Sequence, residues 1–197
     1  MDLLDRLVDL KDPKLNRPVR VFIGGPSRAG KTTFTKCISM KLAQRGYRCV
    51  QIHLDYWILP VNERDHAHGV LQRFDIGRLS MDLGRLFSGE TVEIRPYNPI
   101  TRLRDTSPLL LAINKNADFV FVEGVIALAD PHLRSFADLR IFVETTRFRR
   151  LKRLLQLYRD EKKIDREVYR SIIKEREVEE VLLVNTSKTW ADETLIS

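Results

Sequence analysis

The chain has 197 residues and a formal net charge of +7, and 43% of its residues are hydrophobic and 31% charged. This composition is ordinary for a soluble globular protein and excludes a disordered or fibrous chain, while the length suits one α/β domain with a proper core. We therefore expect a single domain over residues 1–197. No apolar run approaches the ~20 residues of a membrane span, and the first residues do not resemble a secretory leader, so we expect a cytoplasmic protein without membrane contact.

The amino-terminal extension, residues 1–17, opens with leucines at helical spacing. They recur from Leu3 to Leu10, and Pro13 follows shortly after them. This pattern predicts a short amphipathic helix that ends before the proline. The polar face of this helix is acidic rather than basic, which argues against binding to anionic lipid.

A glycine-rich segment follows the first predicted strand, residues 19–23, and precedes a helical pattern that ends near Gly46. From Gly25 to Thr32 it satisfies the phosphate-loop pattern G-x-x-x-x-G-K-[ST]. Glycines let the backbone approach an anion closely, so that successive N–H groups and the positive helix end face the phosphates. Lys31 is expected to reach the β and γ phosphates, and the Thr32 hydroxyl is expected to ligate Mg²⁺. The predicted phosphate-binding residues are Gly25, Pro26, Ser27, Arg28, Ala29, Gly30, Lys31, Thr32 and Thr33.

Strands and helices alternate along the rest of the chain. The further predicted strands are residues 48–54, 91–95, 118–122, 139–143 and 193–196, and the further predicted helices are residues 75–89, 148–158 and 165–184. The segment between residues 56 and 74 has no period and is predicted as a long loop. Strands that alternate with helices imply right-handed crossovers and therefore a parallel sheet.

Most of the net charge lies between residues 146 and 163, where eight basic residues stand against two acidic ones. A basic helix of this kind suits a small polyanion such as ATP at least as well as nucleic acid, and no nucleic-acid module accompanies it. We therefore expect no nucleic-acid partner. Binding of nucleic acid through this stretch stays open as an alternative, and it predicts an affinity that falls steeply with salt.

Two carboxylates stand directly after apolar strands. Asp55 follows residues 48–54 and Glu123 follows residues 118–122, and in an open parallel sheet both would lie at the edge where ligands bind. We expect Asp55 to accept the proton of an attacking hydroxyl and Glu123 to hold Mg²⁺ directly or through water. The alternative for each is a carboxylate that caps the next helix. The guanine-specific pattern Asn-Lys-x-Asp fails at residues 114–118, where the acid stands one position late, so a small-molecule kinase is favoured.

Together these segments resemble the uridine kinase and phosphoribulokinase family of phosphate-loop kinases, from about residue 19 to residue 196. The segment Gly24–Thr33 is similar to the family's ATP loop, His53–Trp57 to its strand-end Asp-x-aromatic motif, and Phe121–Leu128 to its Val-Glu-Gly strand. The other similar segments are Arg73-Phe74-Asp75, Arg95-Pro96-Tyr97-Asn98, and residues 138–145 with Arg149, Arg150 and Arg153 after them. The resemblance implies a three-layer α/β P-loop NTPase fold, with a parallel five-stranded sheet, helices on both faces and a basic helical lid at about residues 146–166.

The resemblance also implies roles for single residues. Asp55 would be the catalytic base for the acceptor hydroxyl, beside Lys31 of the loop. Glu123 would belong to the Mg²⁺ site together with the Thr32 hydroxyl. Tyr97 would line the acceptor pocket. The lid arginines that would contact phosphates or the acceptor are Arg159 and Arg166.

The acceptor pocket departs from the family's usual pattern. Residues 55–58 lack the substrate-side tyrosine of nucleoside kinases. The family segment whose aspartate holds the ribose hydroxyls has no clear counterpart in this chain, and Asp65 is the acidic residue nearest to its place. Arg102 and Arg104 would suit an acceptor with a carboxylate or phosphate, because arginine pairs with such groups through two parallel hydrogen bonds. The pocket residues that we predict are Asp65, Tyr97, Arg102, Arg159 and Arg166.

From these observations we expect an ATP-dependent kinase that uses Mg²⁺ and transfers the γ-phosphate to a hydroxyl of a small molecule. A nucleoside such as uridine or cytidine is the first candidate acceptor. Two alternatives stay open: a non-nucleoside acceptor such as a sugar or hydroxy acid, and an ATP-binding regulatory module with a vestigial acceptor site. The expected partners are ATP and the acceptor, and assembly into a homo-oligomer is left open.

Overall fold

The computed structural model describes residues 2–12, 14, 16–64, 69–99, 101–161 and 165–197. Within these residues the strands are β1 (Val19–Gly24), β2 (Cys49–His53), β3 (Val92–Ile94), β4 (Leu109–Leu111), β5 (Phe119–Glu123), β6 (Leu139–Glu144) and β7 (Glu193–Ile196). The α-helices are α1 (Leu3–Asp9), α2 (Lys31–Gln44), α3 (Ile76–Phe87), α4 (Pro131–Ser135), α5 (Arg147–Gln156) and α6 (Arg166–Thr186). Short 3-10 helices occur at Leu54–Trp57, Val61–Glu63, Leu71–Arg73 and Ser187–Trp190, and α5 continues into a π-helical turn at Leu157–Glu161.

Five of the described strands form a parallel sheet in the order β2-β5-β1-β6-β7. β5 lies inside this sheet and is buried along its whole length. A continuous apolar run is what a parallel strand needs when both of its faces are covered. The prediction of a parallel five-stranded sheet is therefore confirmed.

Helices cover both faces of the sheet. Neighbouring residues of β5 point to opposite faces, and Val122 packs in the same cluster as Leu83 of α3. Phe121 packs in a second cluster, together with Leu7 of α1 and Leu42 of α2. The molecule thus has the three layers that the family resemblance implied, with α1 in the layer that also holds α2, the helix after the glycine loop.

The register of the sheet brings three strand ends to one level. Ile23 of β1 and His53 of β2 both pair with Glu123 of β5. The loops that follow these strands therefore leave the sheet side by side. Ligands of open parallel sheets bind at this edge, and the glycine loop and Asp55 both start from it.

The predicted strand at residues 91–95 does not join the main sheet. It forms β3, which pairs antiparallel with β4 at Leu109–Leu111. We did not predict β4, because three consecutive leucines show neither alternation nor enough length to indicate a strand. The hairpin carries residues 96–108 at its tip, and these include the predicted acceptor segment.

Two other local predictions change in detail. The helix α4 was not predicted, although Asp130 caps it by accepting a hydrogen bond from the Leu133 N–H at 3.0 Å and Pro131 stands in its first turn, a familiar start signal. The predicted loop at residues 56–74 contains two of the short 3-10 helices. Among the residues that the structure describes, no helix combines the length and the apolar character that a membrane crossing requires.

Candidate active site

The glycine loop between β1 and α2 has a backbone that only glycine adopts without strain at two positions. Gly25 has a φ of +138° and Gly30 a φ of +102°. A Cβ atom added to Gly25 would lie 2.1 Å from the carbonyl oxygen of Val143 in β6. The loop is therefore folded tightly against the neighbouring strand, and its curvature depends on the missing side chain.

Lys31 begins α2 and is buried at the centre of the loop. Its Nζ donates hydrogen bonds to the carbonyl oxygens of Gly25 at 2.9 Å and Pro26 at 3.0 Å. Burial lowers the pKa of Lys31, and the negative charges of Glu123, Asp55 and Glu180 partly offset this effect. The charges of three carboxylates, from β5, from the segment after β2 and from α6, thus act on one lysine. The predicted base Asp55 is thus close enough to the loop lysine for its charge to act on it.

Glu123 ends β5 beside the loop. One of its oxygens, Oε1, accepts a hydrogen bond from the Thr32 hydroxyl at 2.7 Å and lies 2.7 Å from Nδ1 of His53. Burial favours the protonated carboxyl, but the hydrogen bond with His53, the Lys31 charge and the Thr32 hydroxyl together hold the pKa of Glu123 below its ordinary value. The hydrogen bond with Glu123 in turn raises the pKa of His53. Glu123 therefore stays ionised, and its carboxylate and the Thr32 hydroxyl are oxygen ligands of the kind that Mg²⁺ prefers.

Asp55 lies in the 3-10 helix at Leu54–Trp57, directly after β2. The Leu54 side chain is buried against Gly124, where an added Cβ would lie 2.7 Å from Leu54 Cβ. On the other side of Asp55, the Trp57 indole N–H donates to the buried carboxylate of Asp82 in α3 at 2.9 Å. The exposed carboxylate of Asp55 is thus carried by a segment that is anchored on both sides.

The predicted acceptor segment lies next to the segment that carries Asp55. The Tyr97 N–H donates to the Tyr56 carbonyl at 3.2 Å, and Tyr97 forms an isolated antiparallel bridge with Arg104. The Arg64 guanidinium lies over the Tyr97 ring, 5.6 Å from its centre, and Arg104 pairs with Glu63 at 3.1 Å. Tyr97 therefore lies beside the segment that carries Asp55, with two arginines next to it, and its role in an acceptor pocket stays a prediction. We did not predict Arg64, because no local pattern shows that the loop carrying it folds over Tyr97.

The other predicted acceptor residues are less closely grouped. Arg102 lies in the hairpin tip with a φ of +62°, and its backbone bonds to Asn98 and Val61 while its side chain is exposed. Arg159 lies in the π-helical turn and Arg166 begins α6, and both side chains are exposed. Asp65 lies outside the described residues. The roles of these four side chains stay predictions.

One residue of α5 and one of α6 contact the glycine loop. Arg153 of α5 donates to the Arg28 carbonyl at 3.1 Å, and Glu180 of α6 accepts a hydrogen bond from the Ser27 N–H at 2.8 Å. We did not predict either contact. Arg153 belongs to the basic stretch that the sequence singled out, whereas Glu180 lies in a helix without a motif of its own.

The residues of the glycine loop, with Glu123, fit a nucleoside triphosphate and Mg²⁺. A backbone N–H of the loop already binds a carboxylate oxygen, so the loop offers its donors to an anion. Gly25 and Gly30 let the loop pack closely on its neighbours, because an added Cβ would lie 2.1 Å from the Val143 carbonyl oxygen or 3.0 Å from the Ser197 hydroxyl. Thr32 and Glu123 would hold the metal, and Lys31 would contact the phosphates.

A parallel sheet of this order, with a G-x-x-x-x-G-K-T loop between its first strand and the following helix, defines the class of P-loop kinases. The model of the phosphoribulokinase/uridine kinase family matches residues 21–175. The chain belongs to this family, and it is a phosphotransferase that acts on a hydroxyl group of its acceptor.

Individual known proteins support the same family and the same fold. A uridine kinase from Bacillus mycoides is 31% identical over 151 residues, which are 72% of this chain and 67% of the relative. A candidate fructose transport system kinase from Silicibacter sp. TM1040 matches the fold with a TM-score of 0.76, at 17% identity and over 99% of both chains. A D-glycerate 3-kinase from Cryptococcus neoformans matches with a TM-score of 0.67, at 13% identity, over 98% of this chain and 90% of the other. The two solved structures share the fold.

Proposed function

We propose that this kinase transfers the γ-phosphate of ATP to a hydroxyl group of a small metabolite, with Asp55 as the base. The observation that carries the proposal is the grouping of Lys31, Glu123 and Asp55 at the carboxyl edge of the sheet, where Lys31 lies within electrostatic range of both carboxylates. The loop residues 25–33 would hold the triphosphate.

The chain's own residues supply position and charge. The exposed Asp55 carboxylate accepts the proton of the attacking hydroxyl, and its anchored segment limits the directions in which that hydroxyl can approach. Lys31 offsets the negative charge that develops on the transferred group. Mg²⁺, held by Thr32 and Glu123, would neutralise phosphate charge when it is bound.

For the acceptor, a nucleoside such as uridine or cytidine is the first candidate, because uridine kinases are among the chain's relatives at about 30% identity. A second candidate is a hydroxy compound with a carboxylate or phosphate group. It is favoured by Arg64, whose guanidinium lies over the Tyr97 ring, and by Arg104, whose backbone forms a β-bridge with Tyr97 and whose guanidinium pairs with Glu63. A guanidinium held over an aromatic ring is well suited to bind an anionic group.

The test is an ADP-release assay over matched pairs of acceptors. Uridine is compared with ribose to test the base, and glycerate with glycerol to test the carboxylate; fructose is added as a neutral sugar. A rate that one acceptor raises far above the idle rate of ATP hydrolysis identifies the acceptor class. Idle hydrolysis alone across all acceptors would contradict the proposed transfer.

The role of Asp55 is tested in the same assay with Asp55→Asn. We expect turnover to be lost, since the amide cannot accept the hydroxyl proton, while the affinity for ATP measured by calorimetry is unchanged. Asp9→Asn, at an exposed position of α1, is the matched control. An active Asp55→Asn enzyme would remove Asp55 from the role of base.

A further inference from the structure

Glu180 of α6 places a buried carboxylate against the glycine loop. Its side chain is 2% exposed, and its Oε1 accepts the hydrogen bond from the Ser27 N–H at 2.8 Å. Its negative charge also acts on the buried Lys31. A buried carboxylate is stable only where donors and positive charge compensate for the lost water. Here the compensation comes from a loop N–H and from the loop lysine.

The helix that carries Glu180 is held over the loop from two sides. One turn before Glu180, Glu177 pairs with Arg147 at 3.0 Å and also with Arg150, both in α5. One turn after it, Val184 is fully buried in the main hydrophobic cluster. The carboxylate is therefore not on a loose surface side chain. It reaches the loop as part of a helix packed on the lid and on the core.

The donors that compensate Glu180 are also those that a phosphate needs. A phosphate loop binds its ligand through backbone N–H groups and the lysine at the start of the helix. One half-buried N–H and one lysine charge cannot serve a carboxylate and a phosphate at the same place, because the two anions would repel each other. The contact with Glu180 and the binding of a triphosphate thus compete.

We propose that Glu180 occupies a phosphate position of the loop in the nucleotide-free protein, and that α6 withdraws it when a nucleotide binds. This inference rests on the proposed binding of ATP to the loop. Under this proposal, the apparent association constant of the nucleotide equals the intrinsic constant multiplied by the fraction of molecules in which Glu180 has left the loop. Nucleotide binding and the position of α6 are then coupled, and the coupling acts in both directions.

The first test removes the charge and keeps the shape. In Glu180→Gln we expect the dissociation constant of ATP, and that of inorganic pyrophosphate, to fall by about 5- to 150-fold, the usual range of coupling between sites. Glu167→Gln, an exposed residue of the same helix, is the matched control and should leave both constants unchanged. Calorimetric titration of the full chain measures them. Equal affinities in Glu180→Gln and the parent protein would overturn the inference.

The second test uses the unmodified chain and does not depend on a variant that folds. Hydrogen exchange of the backbone amides in residues 177–184 is compared without nucleotide and with saturating ATP. Withdrawal of Glu180 predicts faster exchange in this segment when ATP is bound. Unchanged or slower exchange would mean that the contact persists, and would contradict the inference.

The two proposals fail in different ways. If neither ATP nor pyrophosphate binds to the parent protein or to Glu180→Gln, the proposed use of ATP fails. If ATP binds equally well to both proteins and residues 177–184 do not respond, the proposed function stands and only the inference about Glu180 is wrong.

Discussion

Two polar groups contact the same oxygen of Glu123, and one of them is the side chain of the strand residue His53. The Thr32 hydroxyl approaches Oε1 from the loop, and Nδ1 of His53 approaches it from the neighbouring strand β2. A partner of this kind fixes the direction in which a carboxylate offers its remaining lone pairs. We therefore propose that His53 positions Glu123 for the proposed Mg²⁺ site.

The role of His53 can be measured through the metal requirement. In His53→Ala we expect the Mg²⁺ concentration for half-maximal activity to rise by about 10- to 100-fold, as for other partners of metal ligands. His53→Asn keeps a donor near the same position and should recover much of the loss. Direct binding of Mn²⁺ to the protein gives a second readout. The same Mg²⁺ dependence in both variants and the parent protein would contradict this role.

At the scale of elements, the last strand of the sheet is attached through Asp192. This residue stands just before β7 and pairs with Arg140 of β6 through two side-chain hydrogen bonds of 3.0 and 2.7 Å, and it also accepts the Arg140 backbone N–H at 2.8 Å. The hydrogen bonds from the Arg140 side chain hold the pKa of Asp192 below its ordinary value. The edge strand β7 therefore depends in part on an ionised carboxylate.

The pH dependence of this contribution follows from the direction of the pKa shift. A lowered pKa in the folded state stabilises the protein above the unfolded-state pKa of about 4, and the stabilisation is lost as pH falls through the folded-state value. We expect Asp192→Asn to lower the free energy of unfolding at pH 7 by about 1 kcal/mol or less, because the pair is partly exposed. In urea unfolding, the difference between the variant and the parent protein should shrink below pH 4. A difference that is constant from pH 7 to pH 3 would contradict the assignment.

At the scale of the whole molecule, ligand binding should be visible as stability. A nucleotide that binds only the folded chain at 100 times its dissociation constant adds about 2.7 kcal/mol. For a domain of this size that corresponds to a rise in Tm of about 5–10 °C. We expect this rise with ATP in the parent protein and in the control Lys41→Ala, and no rise in Lys31→Ala. A full rise in Lys31→Ala would show that ATP binds away from the loop.

The whole molecule also changes the interpretation of the basic stretch. Arg147 and Arg150 turn towards Glu177 of α6, and Arg150 is only 3% exposed. Arg153 contacts the glycine loop. Part of the positive charge of residues 146–163 is therefore used in contacts within the protein. This favours the predicted lid over a surface that binds nucleic acid.

Local chemistry explains what the sequence alone could predict. The spacing of Gly25, Gly30 and Lys31, and the carboxylates that end two apolar strands, are visible within a few residues of chain. Backbone angles open only to glycine and the burial of an apolar run are properties of short segments, so the loop, the parallel sheet and the positions of Asp55 and Glu123 at strand ends followed from the pattern.

Proximity between distant segments was decided only by the tertiary structure. The strand order places β2 beside β5 and so brings His53 to Glu123, which lie 70 residues apart in the chain. The packing of α6 brings Glu180 to Ser27 across 153 residues, and the fold of the loop before residue 65 lays Arg64 on Tyr97. These contacts depend on which elements pair and at what register. The spacing of residues within a short segment does not determine this pairing, because the pairing depends on how all the elements bury their apolar faces together in one core.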